Sequence, residues 1–147
     1  MKVLVSACLL GTPCRYDGKS KPHPLVERLC SEHQVIPVCG EVMGGLPTPR
    51  VPAERQEGKA VINKAGVDVT DNYWRGAREV LRLGQMMGAH VAILKERSPS
   101  CGSGRIYDGS FSGTLIDGWG VTAELLKENG FKVLGESDLE AFLDGQS

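Results

Sequence analysis

The hydrophobic pattern at the start of the chain predicts a strand, a helix and a second strand. Lys2 to Val5 and Val35 to Val38 are short apolar runs rich in β-branched residues, which are typical of buried strands. Between them, apolar residues from Pro22 to His33 recur at helical spacing. The face of this helix that we expect to be buried consists of Leu25, Val26, Leu29, Cys30 and His33. A strand, a helix and a strand in this order favour parallel pairing through a helical crossover.

The second half of the chain continues this alternation. The predicted elements are a helix from Thr70 or Asp71 to about Gly88, a strand from His90 to Leu94, a helix from Val121 to Asn129, a strand from Phe131 to Leu134, and a last helix from Ser137 or Asp138 to Leu143. We therefore predict a single α/β domain over residues 1–147, with a mainly parallel sheet flanked by helices.

Three stretches interrupt this pattern. Gly40 to Glu57 is too rich in glycine and proline for a regular element, and we predict a long ordered or flexible loop. Lys59 to Val69 is predicted to form a small hairpin that turns near residues 64–66. After the strand that ends at Leu94, a polar loop is expected to continue to about Gly118.

Charge and composition exclude several classes of function. The chain has 17 Lys and Arg against 18 Asp and Glu, without a long run of either sign, which argues against nonspecific binding to a nucleic acid duplex. No apolar stretch approaches the roughly 20 residues that cross a bilayer. Residues 5–8 resemble a lipoprotein cleavage box, but a signal peptide needs about 15–30 residues before its cleavage site. We expect a soluble, cytoplasmic protein that does not act at a membrane.

The five cysteines are the main candidates for chemistry. They are Cys8, Cys14, Cys30, Cys39 and Cys101, an odd number in a chain large enough to fold without disulfides, so we expect reduced thiols that are reactive or metal-bound. Cys8, Cys39 and Cys101 each follow a predicted strand within seven residues. Because ligands of open parallel α/β sheets gather beyond the carboxyl ends of the strands, we predict a metal site there.

Three thiolates around one centre leave an open coordination position, which suits a catalytic metal. Soft thiolates favour iron–sulfur clusters or zinc. The alternative is that these cysteines only pack in the core, because cysteine is among the most frequently buried residue types. We expect Cys30 to lie in the core for this reason. Cys14 has three open roles: a spare ligand, a disulfide partner or a packed turn residue.

Two polar residues adjoin these cysteines. Glu41 follows Cys39 by two residues, and Ser100 immediately precedes Cys101. If the cysteines share a site, a carboxylate and a hydroxyl line the same pocket, where they could act on protons or position a substrate. The alternative is that both are ordinary surface residues.

Five segments resemble the signature blocks of the thiouracil desulfurase family, formerly a domain of unknown function. These are SACLLGTPCRYDG (6–18), VCGEVMGGLPTPRVPAE (38–54), DVTDNYWRGA (68–77), LKERSPSCGSGRIYDGSFSG (94–113) and GWGVTAELL (118–126). The resemblance implies an iron–sulfur enzyme that removes sulfur from a small thiolated pyrimidine such as thiouracil, or from a related thioamide.

The resemblance also implies roles for single residues. Cys8, Cys39 and Cys101 would hold a [4Fe-4S] cluster whose fourth iron takes the sulfur of the substrate, while water replaces that sulfur without net electron transfer. Glu41 would transfer protons, and Ser100 would position substrate or water. The resemblance assigns no substrate-binding residue and no oligomeric state.

One position departs from the family pattern, and one alternative function stays open. Gly40 stands where the family usually has proline, which would loosen the loop that carries Glu41. The alternative is a noncatalytic metal-binding or redox-sensing protein, in which the thiols bind zinc or Cys8 and Cys14 form a disulfide.

Overall fold

The computed structural model describes residues 1–145, so the last two residues of the predicted domain lie outside the described residues. Its centre is a four-stranded, fully parallel sheet. The strands are Lys2–Ser6 (β1), Gln34–Val38 (β2), Val91–Leu94 (β5) and Lys132–Gly135 (β8), in the spatial order β2-β1-β5-β8. This sheet confirms the predicted α/β fold and its four strands, of which the central pair β1 and β5 is buried and the edge strands β2 and β8 are partly exposed.

Helices cover both faces of the sheet. They are Val26–Glu32 (α1), Gly40–Met43 (α2), Thr70–Met87 (α3), Val121–Glu128 (α4) and Leu139–Leu143 (α5). Val3 and Val5 of β1 belong to one core cluster with α1 and α5, whereas Leu4 belongs to another with α3 and α4. Successive side chains of a strand point to opposite faces, so both sides of β1 are buried, as in other parallel sheets. No helix within residues 1–145 is long and apolar enough to cross a membrane.

The strand order creates a crevice at one edge of the sheet. From β1 the chain first adds β2 on one side and later adds β5 on the other side. Ser6 is in register with Val38, and Val5 is in register with Ile93, so the carboxyl ends of these three strands lie together. The point where the strand order reverses is the usual ligand site of open α/β sheets.

Four elements show that the loop predictions were wrong in part. Residues predicted to be loop form the helix α2, the strand Ala53–Arg55 (β3), and a hairpin of Ser103–Tyr107 (β6) with Leu115–Trp119 (β7). The predicted hairpin over residues 59–69 does turn near Gly66, but its strand Val61–Asn63 (β4) pairs chiefly with β3. All three residues of β3 are buried, including Glu54 and Arg55, so no apolar alternation marks this strand in the sequence.

The helix α1 begins later than predicted. The expectation that Cys30 lies in the core is wrong. Within α1 only Leu29 is buried, while Cys30 is exposed. Adjacent helical residues point about 100° apart, so a short helix that buries Leu29 turns its neighbour to solvent. His33 ends this helix, and its ring packs against Phe142 at a centroid distance of 5.1 Å.

Glycines set the position of α2 against α3. A Cβ atom on Gly76 would lie 1.7 Å from the carbonyl oxygen of Gly40, and one on Gly44 would lie 2.0 Å from that of Asn72. The two backbones therefore touch in a way that no other residue type permits. This close contact fixes the short helix that carries Glu41.

Candidate functional site

A cleft of about 580 Å³ opens at the carboxyl edge of the sheet. Four of the five cysteines line it, namely Cys8, Cys14, Cys39 and Cys101. The structure therefore brings together the three cysteines that the sequence placed after strands, and it adds Cys14 to them. A second, polar cleft of about 510 Å³ beside the β6–β7 hairpin has no cysteine in its wall.

Each of the three cysteines follows a strand of the central sheet, either closely or after a short loop. Cys8 lies in a 3₁₀ turn after β1, and that turn ends at Gly11 with a φ of 104°. Cys39 joins β2 to α2. The backbone N–H of Cys101 donates to Ser98 Oγ at 3.0 Å, which holds this loop in a tight turn. The strand ends and turns thus direct the thiols into one crevice.

Cys14 lies among the predicted ligands. It lines the same cleft as Cys8 and Cys39. The Sγ atom of Cys39 also lies 4.0 Å from the carbonyl oxygen of Cys14. Six residues of chain after Cys8 form the loop that returns Cys14 to this place, and no local pattern in the sequence indicates that return.

Two of these thiols, those of Cys39 and Cys101, have a pKa above the ordinary value. Burial raises the pKa of Cys101 to about 12. The hydrogen bond with the Cys14 thiol, followed by burial, raises the pKa of Cys39. Buried thiols of this kind lose their protons when a metal or cluster supplies the compensating positive charge.

Glu41 is held by two buried side chains. Arg50 Nε donates to Glu41 Oε2 at 2.9 Å, and Arg50 Nη2 makes a second bond to the same oxygen. The hydroxyl of Tyr73 donates to Glu41 Oε1 at 2.8 Å. The side chains of Arg50 and Glu41 are only 5% and 14% exposed, so this pair is largely shielded from solvent. Both oxygens of the carboxylate therefore accept at least one side-chain hydrogen bond.

The charges of this group reinforce one another. Burial alone would lower the pKa of Arg50, but the Glu41 carboxylate raises it, so the guanidinium stays charged. Burial and the adjacent Glu41 charge both raise the pKa of Tyr73, which remains an O–H donor. The sequence does not identify either partner, because Tyr73 occupies an apolar position of α3 and Arg50 lies in a loop.

Arg50 also joins three segments around the cleft. Its Nη2 donates to the carbonyl oxygen of Cys14 at 2.9 Å. Its Nη1 donates to Pro47 O and to Thr48 Oγ1, each at 3.1 Å. One guanidinium thus links the Cys14 loop, the loop before β3 and the helix that carries Glu41, in the planar fork geometry that arginine provides.

Ser100 is buried beside the cleft. It is 1% exposed, and its hydroxyl shares a hydrogen bond of 2.9 Å with Thr122 Oγ1. A Cβ atom on Gly40 would lie 2.6 Å from Ser100 Oγ and 2.5 Å from Thr122 Oγ1. Gly40 is therefore packed tightly against this hydroxyl pair. We expected Gly40 to loosen the loop that carries Glu41, but the structure leaves Gly40 almost no free space.

Comparison with known proteins identifies the family. The sequence model of the family described as 2-thiouracil desulfurase matches residues 3–138. The chain belongs to the 2-thiouracil desulfurase family. This confirms the resemblance that the signature segments indicated, and the match spans every element that lines the cleft.

Two members of known sequence or structure are similar to this chain over nearly its whole length. A Bacillus subtilis (strain 168) protein named "Uncharacterized protein YbbK" is 42% identical over 150 residues, which cover 96% of this chain and 99% of that protein. The solved structure of the "[4Fe-4S]-dependent thiouracil desulfidase TudS" is similar with a TM-score of 0.91 and 47% identity, covering 98% of this chain and 96% of that chain. The α/β fold described above is therefore shared with a solved desulfidase.

Proposed function

We propose that this protein is a [4Fe-4S]-dependent desulfurase that removes the sulfur of a small thiolated pyrimidine such as 2-thiouracil. Its family and its likeness to the thiouracil desulfidase TudS support the reaction class and the cluster. One observation in this structure carries the proposal. Cys8, Cys39 and Cys101 line one cleft together with the Glu41 carboxylate, whose side chain is only 14% exposed.

The donor set and the space suit a cluster better than a single ion. Within residues 1–145, no three His, Cys, Asp or Glu side chains lie close enough together to surround one metal ion. Zinc would need every sulfur about 2.3 Å from a common point. Thiols spread around a cleft of about 580 Å³ leave room for a group of several atoms, and thiolates are the usual ligands of iron–sulfur clusters.

Cys8, Cys39 and Cys101 would hold the cluster, and no fourth protein ligand is assigned. When bound, the cluster would supply an open iron that acts as a Lewis acid and accepts sulfur. The overall reaction is balanced without a redox partner, because 2-thiouracil and water give uracil and hydrogen sulfide. The protein must therefore supply proton transfers rather than electrons.

Glu41 is the residue that we propose to move those protons. Arg50 occupies Oε2 with two hydrogen bonds, which leaves Oε1 as the atom that exchanges a proton. The Tyr73 hydroxyl, 2.8 Å from Oε1, can turn away when a substrate or water takes its place. In this role Arg50 and Tyr73 orient the carboxylate toward the cleft.

Ser100 is proposed to position substrate or water from the wall of the cleft. When Thr122 donates to the Ser100 oxygen, the Ser100 proton is free to point to a group in the cleft. Because the pair is buried and pressed against Gly40, the hydroxyl is held in one place and costs little ordering entropy.

The placement of Cys8 and Cys14 in the wall of one cleft favours a second candidate, a redox-sensing thiol protein. In that case the thiols would pair as a disulfide or bind zinc, and neither Glu41 nor Ser100 would matter. The two candidates therefore differ in metal content and in their dependence on Glu41.

Anaerobic reconstitution tests the proposal. We expect a brown protein with about four irons and four sulfides per chain that converts 2-thiouracil to uracil. Cys8→Ser, Cys39→Ser and Cys101→Ser should each lose stable cluster binding, because a hard hydroxyl replaces a soft thiolate. Cys30→Ser is the matched control and should retain full iron, because Cys30 is exposed on α1.

Two outcomes would count against the proposal. A colourless protein with one zinc per chain and no desulfurase activity would favour the noncatalytic candidate. Full iron loading of Cys101→Ser would remove that cysteine from the ligand set.

A further inference from the structure

Aromatic residues are concentrated in the wall of the cleft. All three tyrosines of the chain, together with Phe111, line it. Tyr73 already has a role as a partner of Glu41. Tyr107 and Phe111 belong to the β6–β7 hairpin, which contributes neither a thiol nor a partner of Glu41.

Phe111 has an unusual backbone conformation. Its φ is 57°, in the left-handed region that aromatic residues rarely adopt. Such conformations persist only where the surrounding structure holds them, and they are frequent at binding sites. Glycine would fit this turn without strain, so the fold of the turn does not by itself explain a phenylalanine here.

A buried carboxylate holds Phe111 in place. Glu54 Oε1 accepts the backbone N–H of Gly109 at 2.9 Å and that of Phe111 at 3.1 Å. Glu54 lies on β3 and is 9% exposed. Gln56 follows β3 directly, and its Nε2 donates to the carbonyl oxygen of Gly109 at 3.2 Å. The tip of the hairpin is thus docked onto the segment that begins at β3.

We propose that Phe111 forms a stacking wall for the pyrimidine ring of the substrate and that Glu54 is the positioning residue that holds this wall. This inference rests on the proposed function, because it needs a planar heteroaromatic ring in the cleft. Such a ring gains most from a flat apolar surface placed in advance, since stacking against an aromatic side chain adds affinity beyond simple burial. Phe111 therefore determines how well the ring binds and leaves the chemical step unchanged.

Phe111→Gly tests the contribution of the aromatic ring separately from that of the turn conformation. Glycine relieves the positive φ, so loss of the ring is the main change. In the cluster-loaded enzyme we expect KM for 2-thiouracil to rise about 10-fold, kcat to stay within about 2-fold, and iron content to remain unchanged. Uracil affinity, measured by calorimetry, should fall by a similar factor. Phe111→Tyr keeps the ring and should restore both values.

The control is a glycine substitution in the same loop. Ser112 is exposed and one residue beyond Phe111. Ser112→Gly changes the same tip of the hairpin without removing an aromatic ring, so KM should stay near the parent value. A comparable rise in KM for Ser112→Gly would show that loop order, and not the Phe111 ring, controls binding, and would overturn the inference.

Glu54→Met tests the positioning role. Methionine removes the acceptor for the Gly109 and Phe111 N–H groups while keeping a side chain of similar length. We expect a rise in KM like that of Phe111→Gly, and faster chymotrypsin cleavage after Phe111 because the tip is released. Glu54→Gln keeps an oxygen acceptor and should rescue both readouts. Parent KM and parent cleavage in Glu54→Met would overturn the role of Glu54.

The results separate this inference from the proposed function. If the loaded parent enzyme does not desulfurise 2-thiouracil, the proposed function fails. If the parent is active and Phe111→Gly retains parent KM and uracil affinity, the stacking wall is wrong while the function stands.

Discussion

Two glutamates that are largely shielded from solvent line the cleft, and they are held by different kinds of donor. Glu41 accepts hydrogen bonds from the side chains of Arg50 and Tyr73. Glu54 accepts them from the backbone N–H groups of Gly109 and Phe111. Side-chain donors can rotate away to let another group in, whereas backbone N–H groups are fixed by the chain. Glu41 is therefore suited to exchange a partner during a reaction, and Glu54 is suited to hold a loop.

The two sites also differ in charge balance. Glu41 faces a full positive charge on Arg50, in a pair largely shielded from solvent. For Glu54 the nearby donors are neutral amides, which stabilise a carboxylate through dipoles alone. Removing one partner of the Glu41 pair should thus cost more than altering Glu54 while keeping its acceptor oxygen.

The largest expected effect is on turnover in Glu41→Gln. Glutamine keeps the size of the side chain but cannot transfer the proton, so kcat should fall about 10²- to 10⁴-fold. Iron content and KM should change little. Glu54→Gln is the matched control and should keep kcat near the parent value. Uracil formation under anaerobic conditions and iron analysis check both variants.

Two results would break this contrast. If Glu41→Gln loses its cluster, Glu41 is structural. If it desulfurises thiouracil at the parent rate, the proton-transfer role is wrong.

Arg50→Ala should have the next largest effect. It leaves Glu41 without its charge partner and frees the Cys14 carbonyl, and breaking a buried pair costs about 3–5 kcal/mol of unfolding free energy. Added guanidinium should restore part of kcat, because it can refill the space between Glu41 and Cys14. The control is Arg28→Ala, whose ion pairs are exposed to solvent and should contribute little to stability.

Urea unfolding and kcat with and without guanidinium distinguish the possible roles of Arg50. Equal losses for Arg50→Ala and Arg28→Ala would mean that the buried pair does not stabilise the cleft. Restored stability without restored kcat would mean that Arg50 supports the fold and does not orient Glu41.

Gly40→Ala should destabilise by a smaller amount, about 1–3 kcal/mol, because the added Cβ meets the Ser100 and Thr122 hydroxyls. A control is Gly118→Ala, where the nearest atom to a new Cβ is 3.1 Å away and can shift. Urea unfolding of both variants measures the difference. Equal stability of Gly40→Ala and the parent would show that the helix α2 can move, and with it Glu41.

Tyr73→Phe should have the smallest effect. It removes one hydrogen bond to Glu41 Oε1, worth about 1 kcal/mol, while Arg50 still holds Oε2. We expect kcat to fall less than 10-fold at unchanged iron content. A loss as large as that of Glu41→Gln would instead place the Tyr73 hydroxyl directly in the proton transfer.

The central sheet and the placement of the cysteines could be predicted because both depend on local pattern. Apolar runs marked β1, β2 and β5, and the rule for parallel sheets then placed Cys8, Cys39 and Cys101 at one edge. The signature segments added the family. The position of Glu41 beside Cys39 in sequence was enough to bring it to the cleft.

Contacts between distant residues were decided by the tertiary structure alone. Tyr73 lies 32 residues from Glu41, and Phe111 lies 57 residues from Glu54, so no periodicity links either pair. Charged residues of β3 are buried because partners elsewhere in the chain satisfy them, which hides the strand from any apolar pattern. Likewise, the exposure of Cys30 depends on how α1 rotates against the sheet. Local sequence determined the strands of the central sheet and its main helices, whereas packing between distant segments determined β3 and which side chains meet.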